Sequence, residues 1–158
     1  MQQTVYLKRE RLVELENELI ELKSTQRKIM AEKIAEARSH GDLSENAEYD
    51  AAKEAQSHLE MKIAKLENLL SRVKIITPEE MPDNEVYILT NVTVKDLTNG
   101  EEIKFTLVSP EEADFELDKI SVISPLGKGL LGKKVNEIVK VDVGNGAIEY
   151  KILEISKY

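Results

Sequence analysis

Four carboxylates crowd one short stretch of this chain: Asp42, Glu45, Glu48 and Asp50 fall within nine residues that hold no Lys or Arg. Ser44 and Asn46 stand among them, so the stretch offers hard oxygen donors and nothing softer. Uncompensated acids store repulsion unless solvent, a cation or a partner relieves it. Oxygen donors of this kind suit magnesium, which keeps several waters and binds weakly to one or two carboxylates. Asp42 and Glu45 would therefore complete a metal site in a partner rather than build one alone. A structural reading stands beside this one. The two acids are three residues apart at a helix start, the pattern of a capping box. Acids in a first turn are also stabilised by the helix dipole, each by roughly 0.3–1 kcal/mol. The residues alone leave both readings open.

Other chemistries are excluded by composition. The 158 residues contain no cysteine, which removes disulfides, thiol nucleophiles and thiolate metal sites, and only two histidines, His40 and His58, both expected on solvated helix faces. Hydrophobic residues make up 41% and charged residues 33%, enough apolar content for a core in one or two small domains. No apolar run approaches the roughly 20 residues of a membrane span and no signal peptide opens the chain, so a cytoplasmic monomer is expected. The net charge of −8 opposes direct DNA binding, because phosphate contacts need Lys and Arg. The charge is uneven: residues 5–39 carry +1, 42–74 carry −2, 79–118 carry −10 and 119–158 carry +3.

The elements that must position the acids are helices. From Leu7 to Ser39 there is no Gly or Pro, and Leu12, Leu15, Leu19 and Leu22 step by three and four like a coiled-coil seam. Gln26 interrupts the apolar run, which Ile29 or Met30, Ile34 and Ala37 resume. A second periodic segment carries Ala51, Ala55, Leu59, Ile63, Leu66, Leu69, Leu70 and Val73. Gly41 suits the end of the first helix, and Asp42 or Ser44 the N-cap of the next. Pairs such as Leu19 with Leu69, Leu22 with Leu66 and Ala37 with Ala51 share a sum of residue numbers of 88, which puts the fold-back at residue 44. About 28 residues of helix from Leu12 to the turn would span on the order of 40 Å, so the hairpin should protrude. Its apolar side chains shrink from leucine to alanine toward the turn, drawing the helices together. Met30 and Met61 read as seam neighbours, and Tyr49 as packing against the turn.

The fold class expected is α+β. A long antiparallel coiled-coil hairpin (residues 1–76, acidic tip 41–50) is followed by a linker (77–84) with two prolines and a small, mostly antiparallel β domain (85–158). Strand-like segments are Val86–Thr90, Val92–Leu97, Glu102–Val108, Lys119–Ile123, Ile138–Val143 and Ala147–Ile155, with Asn99-Gly100 and Asn145-Gly146 as turn signals. Ser124 to Gly132 reads as a short capped helix.

Gly41-Asp42-Leu43-Ser44-Glu45-Asn46-Ala47-Glu48-Tyr49-Asp50-Ala51-Ala52-Lys53-Glu54 closely resembles the tip signature of bacterial Gre transcript-cleavage factors, the GreA branch in particular. Ile34 to Arg38, Glu112-Ala113-Asp114, Ile120-Ser121, Ser124-Pro125-Leu126-Gly127 and Leu130 to Lys133 fit the same family, in order, over nearly the whole chain. The resemblance implies an FKBP-like C-terminal domain at the entrance of the RNA polymerase secondary channel, with the hairpin inside it. It implies that Asp42 and Glu45 act in trans in the polymerase active site, helping to hold a shared Mg2+ and orient water while the polymerase cleaves its own backtracked transcript. Ser44 and Asn46 would support the tip's shape or its water. Arg38 and Lys53 could meet the displaced 3′ segment of the nascent RNA or the channel walls, or be ordinary solvated helix charges. The protein would be no enzyme by itself and would hold no cofactor tightly.

The chain departs from the family at Leu7-Lys8-Arg9-Glu10-Arg11, where a threonine and a glycine are usual, and at Gly129, where alanine is usual. With few aromatics in the C-terminal domain, no prolyl isomerase activity is expected. Two other functions stay open: a channel-occluding relative that inhibits, although such relatives carry a more acidic tip, and a coiled-coil adaptor unrelated to polymerase.

Overall fold

The computed structural model describes residues 2–42 and 46–158. The chain forms two compact units, Glu10–Arg72 and the combination of Met1–Arg9 with Val73–Tyr158.

The first unit is the helical hairpin. Helix α1 (Arg9–Glu21) runs through a π-helical turn (Leu22–Gln26) into α2 (Arg27–Arg38), and α3 (Ala47–Leu70) returns. Leu15, Leu22, Ile34 and Ala37 are buried against Ala52, Ile63 and Leu66. A strict heptad continued from Leu12, Leu15, Leu19 and Leu22 passes through Gln26 and Ile29 and would then bury Lys33 and Glu36. Instead Ile34 and Ala37, one position later, are buried, and Lys33 and Glu36 are exposed. The π-helical turn absorbs that extra residue: the Arg27 N–H reaches back five positions to the Leu22 carbonyl. The break expected at Gln26 is therefore a change of helix geometry, not of helix. Of the two methionines expected beside the seam, Met30 is half-buried, whereas Met61 is 55% exposed and does not join it.

Polar contacts between the two arms of the hairpin follow the expected register. Arg27 makes two 2.9 Å bonds to Glu60, Lys23 lies 3.3 Å from Glu67 and His40 lies 3.1 Å from Glu48, with residue numbers summing to 87, 90 and 88. Lys62 reaches Glu18 diagonally at 3.7 Å. The hydrogen bond from Arg27 holds the Glu60 carboxyl below the usual carboxylate range. A lowered folded-state pKa means the pair's contribution is present above the unfolded value of about 4.3 and is lost as pH falls through the lowered one. Melting followed at 222 nm should therefore show the wild-type midpoint falling more steeply than that of Arg27→Gln as pH drops from 6 to 3. Parallel pH curves would contradict this.

In the second unit, a short parallel pair joins β1 (Val5–Leu7) to β2 (Val73–Ile75), with Val5 opposite Val73. Strand β1 precedes the hairpin and was not expected as a strand. The main sheet has the order β5-β4-β3-β7-β6, with β3 (Thr90–Asp96), β4 (Glu102–Val108), β5 (Lys119–Ser121), β6 (Ile138–Asp142) and β7 (Ala147–Lys157). All neighbours are antiparallel except β4 and β5. The α+β class and the mostly antiparallel sheet are as expected. Residues alternate along β3, and Val92 and Val94 enter a core with Leu107, Val139, Val141 and Ile152. The short helix α4 (Pro125–Leu130) caps that core: the Ser124 hydroxyl accepts from the Gly127 N–H at 3.0 Å, Pro125 takes the first turn and Leu130 is fully buried.

One strand expected from the sequence is absent. Val86–Thr90 is β-branched and largely buried, yet it forms a turn. The Thr90 hydroxyl donates to the Tyr87 carbonyl at 2.7 Å and accepts from its N–H, and Leu89 sits at φ 65°. Its burial comes from packing Ile88 and Leu89 against Ile76, Met81 and Val108, not from sheet pairing. Within residues 77–84, Thr77 and Glu80 form a capping box around a single 3₁₀ turn (Pro78–Glu80).

Candidate functional site at the hairpin end

Helix α2 ends where the sequence says it should. Ser39 is the C-cap, the Gly41 N–H bonds the Arg38 carbonyl at 3.3 Å, and Gly41 takes φ 106°, which an L side chain would resist. Asp42 follows, exposed. Leu43, Ser44 and Glu45 lie outside the described residues, and with them two of the expected site residues and the fold-back at residue 44.

The start of α3 differs from expectation. Its N-cap is Asn46, not Asp42 or Ser44: the Asn46 side-chain oxygen accepts from the Tyr49 N–H at 3.1 Å. The same amide donates to the Ala37 carbonyl at 2.6 Å, tying the first turn of α3 to the last turn of α2. One residue satisfies an orphan N–H at the start of one helix and a carbonyl of the other. The capping-box reading of Asp42 and Glu45 needs Glu45 and so lies outside the described residues. Glu48 and Asp50 sit in its first turn, where the helix dipole stabilises them.

Two further contacts bridge the hairpin close to its end. His40 faces Glu48 at 3.1 Å, and the Arg38 guanidinium lies 5.7 Å from the centre of the Tyr49 ring. Tyr49 therefore packs at the turn, as expected, with a cation over it. Both histidines are exposed, as expected. Asn46→Ala should lower the melting midpoint by a few degrees, since a lost N-cap typically costs ~1 kcal/mol. Asn46→Asp, which keeps the acceptor but not the donor, should fall between it and wild type; equal midpoints for all three would remove Asn46 as the tie.

A groove of about 430 Å3 is floored by Ala31, Ile34 and Ala35 and edged by Arg38, Lys53 and Gln56. The structure thus places the two cations singled out in the sequence, Arg38 and Lys53, on one groove. Lys53 is steadied by a 3.0 Å bond to Gln56.

Among the described residues, no group of three or more His, Asp or Glu side chains could hold a metal ion. The donor chemistry fits magnesium only as a partial set, carboxylate oxygens from Asp42 and Glu45 that need further ligands from elsewhere. No helix among the described residues is long and apolar enough to cross a membrane.

Comparison with known proteins agrees with the resemblance. Residues 5–75 match the family model described as transcription elongation factor, N-terminal, and residues 81–157 the one described as transcription elongation factor, GreA/GreB, C-terminal. Transcription elongation factor GreA of Flavobacterium johnsoniae is 49% identical over 157 residues, 99% of each chain. The factor of the same name from Chlorobium phaeobacteroides strain BS1 is 53% identical over 157 residues, 98% of each chain. Among solved structures, the GreA factor homolog 1 (Gfh1) protein of Thermus thermophilus is 28% identical, covering 97% of this chain and 99% of its own, with a TM-score of 0.45.

Proposed function

This chain belongs to the GreA branch of the GreA/GreB transcription elongation factors, and from that premise we propose that it stimulates RNA polymerase to cleave its own backtracked transcript. The hairpin end enters the secondary channel, and Asp42 and Glu45 act there in trans. Asp42 and Glu45 would offer carboxylate oxygens to a magnesium ion held jointly with the polymerase and would orient a water beside it; the ion, when bound, would supply phosphate polarisation and lower the pKa of that water. Asn46 fixes the start of α3 beside them. Arg38 and Lys53, on their shared groove, meet phosphates of the displaced 3′ RNA segment, with Tyr49 as an aromatic neighbour. The chain is a factor and not a nuclease by itself.

The observation that carries this reading is the tip sequence: Asp42, Glu45, Glu48 and Asp50 fall between the end of α2 and the first turn of α3 with no Lys or Arg among them, inside the stretch matched to the N-terminal family model. Asn46 caps α3 and ties it to α2. The test is by sign: added to a purified bacterial polymerase stalled by backtracking, the chain should speed release of a short 3′ RNA fragment and restore elongation. Slower elongation without cleavage would assign the occluding role instead, and no binding to polymerase would assign the adaptor.

A further inference from the structure

Phe115 is 93% exposed, and Leu117 beside it is 61% exposed. A phenylalanine so fully presented to water is unusual, because its ring is among the largest apolar surfaces a chain can bury. Nor is it on a loose loop. Phe115–Leu117 forms a 3₁₀ turn whose Asp114 carboxylate accepts from the Glu116 N–H at 3.0 Å. Asp114 and Lys119 exchange both backbone bonds, at 2.9 and 3.0 Å, and the Asp118 carbonyl accepts from Thr106 N–H in β4 at 3.0 Å. Asp118 closes the turn at φ 52°. The sheet edge thus fixes the backbone turn that presents the ring before anything binds, which lowers the backbone ordering cost of binding.

The surroundings select the occupant. Glu111, Glu112, Asp114, Glu116 and Asp118 fall within eight residues with no Lys or Arg, and they account for much of the −10 carried by residues 79–118. Such a rim repels nucleic acid and the same face of a second copy. It complements a protein surface with an apolar pocket edged by Lys or Arg.

We propose that Phe115, with Leu117 and this acidic rim, is a docking anchor for a basic, pocketed protein surface on RNA polymerase. The proposal rests on the functional reading above, which supplies the partner. The ring fills the pocket and supplies most of the residence time, while the carboxylates steer the approach and make it salt-dependent.

The test is binding of the full chain to immobilised polymerase by interferometry, paired with the cleavage assay. Phe115→Ala should weaken binding at least about tenfold, mainly through faster release. Its melting midpoint should not change, because the ring touches no core. Glu116→Lys should slow association and flatten its salt dependence. At saturating concentration both variants should stimulate cleavage to the wild-type plateau, since the tip is untouched. Wild-type affinity in Phe115→Ala and in Leu117→Ala, with cleavage intact, overturns the anchor while leaving the functional reading standing. A wild-type chain that fails to bind polymerase overturns both, and is told apart because it fails before any substitution is made.

Discussion

The double variant Asp42→Asn/Glu45→Gln is expected to lose transcript-cleavage stimulation by about a hundredfold or more, the scale on which metal-site carboxylates act. Each amide keeps the size and planarity of the acid it replaces but cannot carry charge toward a cation. Asn46, which caps α3, and Gly41, which ends α2, are left in place. Polymerase affinity should stay within about twofold of wild type, a shift of under ~0.5 kcal/mol. Either single substitution should cost nearly as much as the pair, because two groups acting on one ion and one water act as a unit. Equal stimulation by the double variant and wild type would end the assignment of these acids. A fall in binding matching the fall in cleavage would make them docking groups instead.

The largest expected effect on stability is at Gly127. A Cβ built there falls 2.1 Å from the Ser121 carbonyl oxygen, and 3.0 Å from both its carbon and the Ser124 hydroxyl. That carbonyl cannot retreat freely. It accepts from the Ser124 N–H at 3.0 Å and from the Ser124 hydroxyl at 2.6 Å, and it belongs to β5, which is paired to β4. Gly127→Ala must separate α4 from β5, pulling Leu130 from the core. A cost of about 2–4 kcal/mol follows, or a midpoint lower by roughly 10–20 °C for a unit of this size. Gly100→Ala serves as the contrast, because nothing lies within 4 Å of its Cβ and only backbone strain at φ 78° opposes it. A Gly127→Ala midpoint within 2 °C of wild type would show that the packing between α4 and β5 is slack.

Where the sequence was readable, one physical signal dominated. The seam leucines and their constant-sum partners disclosed the hairpin and its register, and β-branched alternation disclosed β4 with its ends, Glu102 and Val108. Misreadings arose where two signals coincided. Asp42, Ser44 and Asn46 are all good N-cap residues within five positions, and the choice of Asn46 depends on its second bond to Ala37 across the hairpin. Val86–Thr90 has strand composition, but the Thr90 hydroxyl satisfies Tyr87 locally and turns the chain. Strand β1 is three residues long and pairs with residues 73–75, so no local pattern announces it. The π-helical turn was visible only as the interruption at Gln26 and the ambiguity between Ile29 and Met30. The exposure of Phe115 follows from the turn closed by Asp114 and Asp118, which hydropathy does not encode.

The most direct test of the tip carboxylates is a magnesium titration of transcript cleavage in a purified backtracked polymerase complex, run without factor, with wild type and with Asp42→Asn/Glu45→Gln. If Asp42 and Glu45 help to hold the shared ion, wild type lowers the magnesium concentration for half-maximal cleavage several-fold as well as raising the rate, and the double variant does neither. A wild-type curve with the same midpoint as the factor-free complex would contradict that role, whatever the rate.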